Sequence, residues 1–335
     1  MHIKIGVENN NLSKVQAQTL IELLKSKYPF IKYKIITITK QSNLNYQVYK
    51  NIYIKDLEYL LLQNKIDIII EFAKDVHYNM HHRLKIGCII KLPSREYALI
   101  SNYSKNIKEF LPNSKIIVYS KKVKAQLLVI RQDLEIIYKK ENIFNDIENL
   151  NIGKVHGIIH DKATLELLNI SNNVYSISIN DILPEIGQGI LCTKIRKNIN
   201  NNYHDAAVEQ IILQLMQKDT LNLLLAEKGF YEYLKANKNT LIAGHAKFIN
   251  NNLIDCEFLY SGHNIINYKK FNDTISFKYI FKYNIQGLYK NAYEIGINAA
   301  KHLQFKIDEY FKQNNNLLNN IHNTQDQGIK IIQIL

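Results

Sequence analysis

Apolar side chains along this chain alternate between two spacings, and the alternation repeats. Residues 3–7 alternate as a strand, and residues 12–26 set Leu12, Val15, Leu20, Leu23 and Leu24 on one face of an amphipathic helix. Residues 32–39 alternate again, residues 54–63 read as a helix, and residues 66–71 form a nearly all-apolar strand. Strands of that last kind belong to sheets covered on both faces, which is the α/β pattern. Residues 84–91 and 98–101 read as further strands. A second unit begins near residue 103, with strands at 115–119, 135–138 and 155–160 and helices at 121–130 and around 144–150. The repetition predicts two similar α/β lobes around a cleft. The chain returns to the first lobe at Gly187-Gln188-Gly189. Residues 207–234 read as helical throughout, 240–248 and 253–260 as a hairpin over Asn250-Asn251-Asn252, and 289–312 as a closing helix. The expected organisation is lobe 1 at 1–92 and 187–206, lobe 2 at 97–182, a small α+β third domain at 210–312, and an Asn-rich tail at 313–335 that is disordered or a short appendage.

Length and composition narrow the picture. The chain has 335 residues and 46% hydrophobic content, enough for two or three domains with a sizeable core. No uninterrupted apolar run of about 18 residues predicts a membrane span. Met1-His2-Ile3-Lys4 enters a strand directly, without the layout of a signal peptide. The three cysteines, Cys88, Cys192 and Cys256, are far apart and odd in number, which argues against a disulfide framework and fits a reducing cytoplasm. Each is read as a small buried hydrophobe. The 43 Lys and Arg against 30 Asp and Glu give a formal charge of +13. Three readings remain open: a solvated surface biased by AT-rich codons, binding of carboxylates, and binding of nucleic acid. The absence of Trp, only 12 Gly, and lysines spread along the chain without an Arg-rich stripe put nucleic acid last.

Candidate chemistry gathers in two segments. Leu183-Pro184-Glu185-Ile186-Gly187-Gln188-Gly189 is a proline-led turn whose glycines let a backbone approach a neighbour closely; alone, it reads as an ordinary tight turn. Asp67-Ile68-Ile69-Ile70-Glu71-Phe72-Ala73-Lys74-Asp75 reads as a buried strand ending in a Lys-Asp pair. As an ordered pair the segments resemble the hydroxymethylbilane synthase (porphobilinogen deaminase) family. That family carries His-Ser-Met/Leu-Lys-Asp at such a strand end and a later Gly-Gln-Gly. Weaker similarity covers Ile3 to Gly6, Asp56-Leu57-Glu58 and Ala226-Glu227-Lys228, and gapped similarity runs over roughly residues 3–310.

The resemblance implies periplasmic-binding-protein-like lobes, a monomeric cytoplasmic transferase of haem biosynthesis, porphobilinogen as substrate and a dipyrromethane cofactor, with neither nucleic acid nor membrane as partner. It implies that Asp75 steadies the cation left when ammonia departs and manages the proton exchanges; on its own, Asp75 reads equally as a helix cap or a surface ion pair. Lys74, Ser120, Lys124, Lys140, Asn142, Gln188 and Gly189 are the implied contacts to carboxylates or pyrroles. The chain departs from the family at several points. Glu8-Asn9-Asn10 stands for Arg-X-Ser, Ser120-Lys121-Lys122-Val123-Lys124 for Ser-Ser-Leu-Arg-Arg, and Lys140 to Asp146 for Arg-Gly-Asn-X-X-Thr-Arg. Lysine supplies charge without the planar fork of arginine, and Glu8 and Asp146 are expected to oppose an anionic substrate. Lys238 falls where the family's cysteine thioether-links dipyrromethane. Residues 41–50 are shorter than the family's mobile loop. No metal cluster, Walker-type loop or Ser-His-Asp pattern is visible. Two rivals follow: a degenerate relative that keeps the fold without turnover, and a two-lobed small-molecule binding protein.

Overall fold

The computed structural model describes residues 1–38, 56–76, 80–140, 142–198, 202–236, 240–261, 279–314, 325–326 and 329–333. In chain order the first elements are β1 (His2–Glu8), α1 (Asn11–Lys27), β2 (Lys32–Ile38), α2 (Asp56–Leu62), β3 (Ile68–Phe72), β4 (Leu84–Lys91) and β5 (Tyr97–Ile100). Next come β6 (Lys115–Val118), α3 (Lys121–Ile130), β7 (Glu135–Tyr138), α4 (Ile143–Asn151), β8 (Gly157–Asp161), α5 (Lys162–Leu167), β9 (Val174–Ser176) and β10 (Ile190–Arg196). The last are α6 (Tyr203–Leu213), α7 (Lys218–Tyr233), β11 (Leu241–Phe248), β12 (Leu253–Ser261), β13 (Tyr279–Leu288), α8 (Ala292–Asn314), β14 (Gln325–Asp326) and β15 (Ile329–Gln333). Among the described residues no helix is long and apolar enough to cross a membrane.

One compact unit comprises Met1–Ser94, Ala163–Ile170 and Gly187–Leu221. Its sheet has the order β2-β1-β3-β10-β4. β1 lies parallel to β2 and β3, whereas β10 runs antiparallel between β3 and β4. The apolar run of β3 has a simple cause. Ile68, Ile70 and Phe72 join Ile3, Ile5, Leu20 and Leu24 in one core, while Ile69 joins Leu61, Ile66 and Leu84 in the other. Each fully buried side chain of this size contributes about 1.5–3 kcal/mol. Asn10 starts α1 by accepting a hydrogen bond from Ser13 N at 2.7 Å.

The expected continuous helix over 207–234 is two helices. The chain leaves α6 because β4 is an edge strand with unpaired backbone groups. Gln217 covers that edge: its N–H donates to Ile89 O at 3.2 Å and its Oε1 accepts from Lys91 N at 2.9 Å.

The other unit comprises Arg95–Lys162, Ser171–Ile186 and Asn222–Leu335. It holds two sheets, β7-β6-β8-β5-β9 and the antiparallel β11-β12-β13-β15-β14. Ala125 of α3, Leu183, Leu241, Ala243, Leu259 and Ile280 form one cluster, so the third sheet shares a core with the second. Over the other face of the third sheet, Phe230 stacks on Phe258 with centroids 4.1 Å apart, and Ala299, Ala300 and Leu303 of α8 close the layer. The tail departs from expectation, because Ile329–Gln333 pairs antiparallel with β13 from Tyr279↔Gln333 to Tyr283↔Ile329. An Ile-Lys-Ile-Ile-Gln strand there covers what would otherwise be an open edge.

Candidate active site

The strand β3 delivers the first group. Its apolar residues are consumed by the two cores, and after Phe72 the chain tightens into a 3-10 turn, Ala73–Asp75. Ala73 is buried, Lys74 is half-buried with its ammonium 5.2 Å from the Phe72 ring centroid, and Asp75 is exposed. Asp75, the last residue of the turn, is thus open to solvent at the strand tip, while Ala73 is packed beneath it.

The glycine-bracketed turn meets this point. Gly187 and Gly189 have φ of +77° and +67°, a region that favours glycine. A Cβ on Gly187 would lie 2.9 Å from Lys74 N and 3.0 Å from the Ala73 carbonyl carbon. Two segments more than a hundred residues apart are thus in backbone contact one residue from Asp75. Gly189 O accepts from Leu92 N at 2.9 Å, and Leu191 pairs opposite Phe72 as β10 begins. Gln188 is fully buried, so its amide meets protein rather than a ligand.

Behind the turn lies a charge cluster that sequence reasoning missed. Lys194 is completely buried, with its ammonium 2.7 Å from Glu58 and 2.5 Å from Glu71. Burial is the largest single influence on Lys194 and pulls its pKa down. Glu71 and Glu58 together outweigh it and hold the pKa above the ordinary value. The available signal was a glutamate inside the otherwise apolar β3 and a lysine in the fully buried β10. Arg196, also on β10, donates to Leu61 O at 2.8 Å and pairs with Asp67 at 3.0 Å and Asp205 at 2.7 Å.

In the other unit, Ser120 caps α3, accepting from Lys122 N at 3.2 Å and donating to Glu185 Oε1 at 2.7 Å. Lys124 is half-buried; Lys140 and Asn142 are exposed, and the Asn142 side chain makes no capping bond to α4. Asp146 does not oppose an anion as expected. It is fully buried, accepts from Tyr119 Oη at 2.6 Å and pairs with Lys139. Glu227, in the Ala226-Glu227-Lys228 match, is a buried strut: it pairs with Arg95 at 2.8 Å and accepts from Ala246 N at 3.0 Å. Lys238 and residues 41–50 lie outside the described residues.

The thiols bear on any thioether. Cys88, Cys192 and Cys256 are all buried on strands. Burial pushes the Cys88 thiol up to about 11, against a hydrogen bond from Thr193 that lowers it, and burial raises Cys256 further. A thioether needs an accessible thiolate, so none of the three fits as anchor for dipyrromethane. Among the described residues no group of three or more His, Cys, Asp or Glu gathers as a metal site.

Comparison with known proteins identifies the family. Residues 3–204 match the family model described as "Porphobilinogen deaminase, dipyromethane cofactor binding domain". The porphobilinogen deaminase of Rickettsia prowazekii (strain Madrid E) is 31% identical over 265 residues, 77% of this chain and 87% of that protein. That of Orientia tsutsugamushi (strain Boryong) is 25% identical over 315 residues, 92% of this chain and 99% of that protein. Among solved structures, the methionine-binding protein MetQ aligns with a TM-score of 0.39 at 14% identity, over 67% of this chain and 94% of that chain, a likeness too slight to build on. The strand-tip Lys-Asp turn, the glycine-bracketed amide seated on it and these matches lead to one conclusion: this chain belongs to the porphobilinogen deaminase family.

Proposed function

We propose that this chain is a hydroxymethylbilane synthase, a transferase that condenses four porphobilinogen molecules head to tail and releases ammonia, in tetrapyrrole and haem biosynthesis. The observation that carries this reading is the seating of Gly187-Gln188-Gly189 on the Ala73–Asp75 turn. Loss of ammonia from the aminomethyl group leaves a cation spread over the pyrrole ring and its methylene carbon. The Asp75 carboxylate accepts a hydrogen bond from the pyrrole N–H and steadies that charge, which is worth most once the bound ring has displaced water from it. After the new carbon–carbon bond forms, the same carboxylate takes the proton that the ring carbon must lose. Lys74 supplies a cation for a substrate carboxylate. Gln188 fixes the turn from inside, and Gly189 lets it lie flat against the strand end. In the other unit, Lys124, Lys140 and Asn142 carry partly or fully exposed polar groups of the kind that bind carboxylates.

Dipyrromethane, when bound, supplies the pyrrole carbon at which chain growth starts; the buried cysteines do not fit a thioether to it, and no step here runs through that bond. The reading extends to a monomer in the cytoplasm, with neither nucleic acid nor membrane as partner. The spread of lysines without an Arg-rich stripe speaks against nucleic acid, and the three widely spaced cysteines fit the cytoplasm.

A second reading, a relative without turnover, is favoured by one observation: no accessible thiol is present to carry a primer. Incubating the protein with porphobilinogen and oxidising the product separates the two. Uroporphyrin above a no-protein control supports the synthase; none at any concentration removes it. Intact mass reports separately on a covalent pigment, and Lys238→Cys is expected to acquire one if only the anchor is missing.

A further inference from the structure

Glu185 is held in an unusual way for a residue two positions from a functional turn. Its Oε1 accepts from the Ser120 hydroxyl at 2.7 Å, and its Oε2 lies 3.2 Å from Lys122 Nζ. The phenol of Tyr97, which is 5% exposed, also hydrogen-bonds to it. Ser120 is the cap of α3, a ten-residue helix, so the carboxylate also meets the positive end of that helix. Hydroxyl, ammonium, phenol and helix end together are the donor set that recognises a carboxylate. Glu185 remains 23% exposed, within reach of an incoming anion.

These contacts are not needed to seat the segment. Gln126 already clamps it with two bonds, accepting from Leu183 N at 2.8 Å and donating to Leu183 O at 3.0 Å. Pro184 O accepts from Gly244 N at 3.0 Å. A third anchor adds little to a backbone fixed on both sides, so the carboxylate has another consequence.

We propose that Glu185 is an internal competitor: its side chain fills a carboxylate site formed by Tyr97, Ser120 and Lys122, and an acidic ligand must displace it to use those donors. The identity of that ligand as the acetate or propionate arm of a pyrrole rests on the proposed function; the site itself does not. Glu185 is thus a specificity-determining residue that weakens substrate binding. Glu185 neutralises Lys122 and occupies the Ser120 hydroxyl proton in the resting protein, and a chain without Glu185 leaves both donors open to a ligand.

Glu185→Ala and Glu185→Gln in the full chain test this. Thermal unfolding is followed with rising propionate, against propionamide and chloride at equal ionic strength. Propionate is expected to raise the unfolding temperature of Glu185→Ala saturably and to leave the parent protein unchanged; an equal response in both overturns the proposal. Glu185→Gln keeps the shape without the charge and is expected to respond weakly. It also serves should the alanine variant fold poorly, and a response no different from the parent's in both variants overturns the proposal. With porphobilinogen, KM of Glu185→Ala is expected to fall about threefold while kcat changes less; a raised KM overturns the proposal. If the parent protein makes no product, the proposed function fails, and the propionate response still decides the inference.

Discussion

Asp75 is exposed at the end of a three-residue turn, and its neighbours Phe72 and Ala73 are buried. Asp75→Ala is therefore expected to leave stability within about 0.5 kcal/mol while lowering kcat by about 10²-fold or more. Denaturant titration beside a porphyrin assay checks both halves, and unchanged turnover removes Asp75 from the mechanism. Gly187 behaves in the opposite way. A Cβ there meets Lys74 N at 2.9 Å on a backbone at φ +77°, so Gly187→Ala is expected to cost about 1–3 kcal/mol and to shift the turn. Lys194→Met leaves Glu58 and Glu71 facing each other in the interior and is expected to cost about 3–5 kcal/mol in urea. Adding Glu58→Gln and Glu71→Gln is expected to recover much of it. At this scale the sequence carried the Lys-Asp pair and the glycine turn because both are local patterns. The partners of Lys194, Glu185 and Asp146 were hidden because pairing across 136, 65 and 27 positions leaves no trace in local spacing.

Most elements were legible from apolar period alone. The strand pattern over 84–91 coincides with β4, and the helix pattern over 121–130 coincides with α3. Two elements were misread for identifiable reasons. Leu215 and Met216 prolong the apolar spacing of α6, yet they pack on the first unit's core in a turn whose purpose is the edge of β4. The strand β15 is a short alternating stretch inside an Asn-rich composition, and composition outweighed pattern. Removal of residues 315–335 is expected to uncover β13. Hydrogen exchange should then show lost protection at Tyr279–Tyr283, the stretch paired with β15, while the amides of β11 keep theirs; unchanged exchange at β13 would refute the pairing.

For the molecule as a whole, several buried acids set an alkaline limit. Burial raises the Tyr97 phenol well above its ordinary value, with Glu185 and Asp161 adding to the effect. Burial also pushes Cys88 to about 11 and Cys256 beyond that. Each stays protonated in the folded chain where the unfolded chain ionises it. Their contribution to stability is complete below the ordinary values and is lost as pH rises from those toward the folded ones. Unfolding free energy is thus expected to hold to about pH 8 and to fall between about pH 9 and 11, with roughly 3 kcal/mol from Cys88 alone. Cys88→Ala is expected to flatten that slope in a pH series of denaturant melts. The return of the chain to the first sheet at β10 was visible, because the glycine turn marks it; the passage of Ala163–Ile170 into the first unit was not, since no local pattern announces it. The core shared by α3 and the third sheet was not, since it depends on contacts such as Ala125 with Leu241 and Leu259.

The placement of β10 between β3 and β4 sets an order of events on the ribosome. Both neighbours are synthesised well before it, and nearly a hundred residues intervene between Lys91 and Ile190. At about 5–20 residues per second, two strand edges wait roughly five to twenty seconds for the strand that joins them. During that interval the nascent N-terminal sheet is a natural client for a holdase, and a message truncated before codon 190 yields a product that cannot close it.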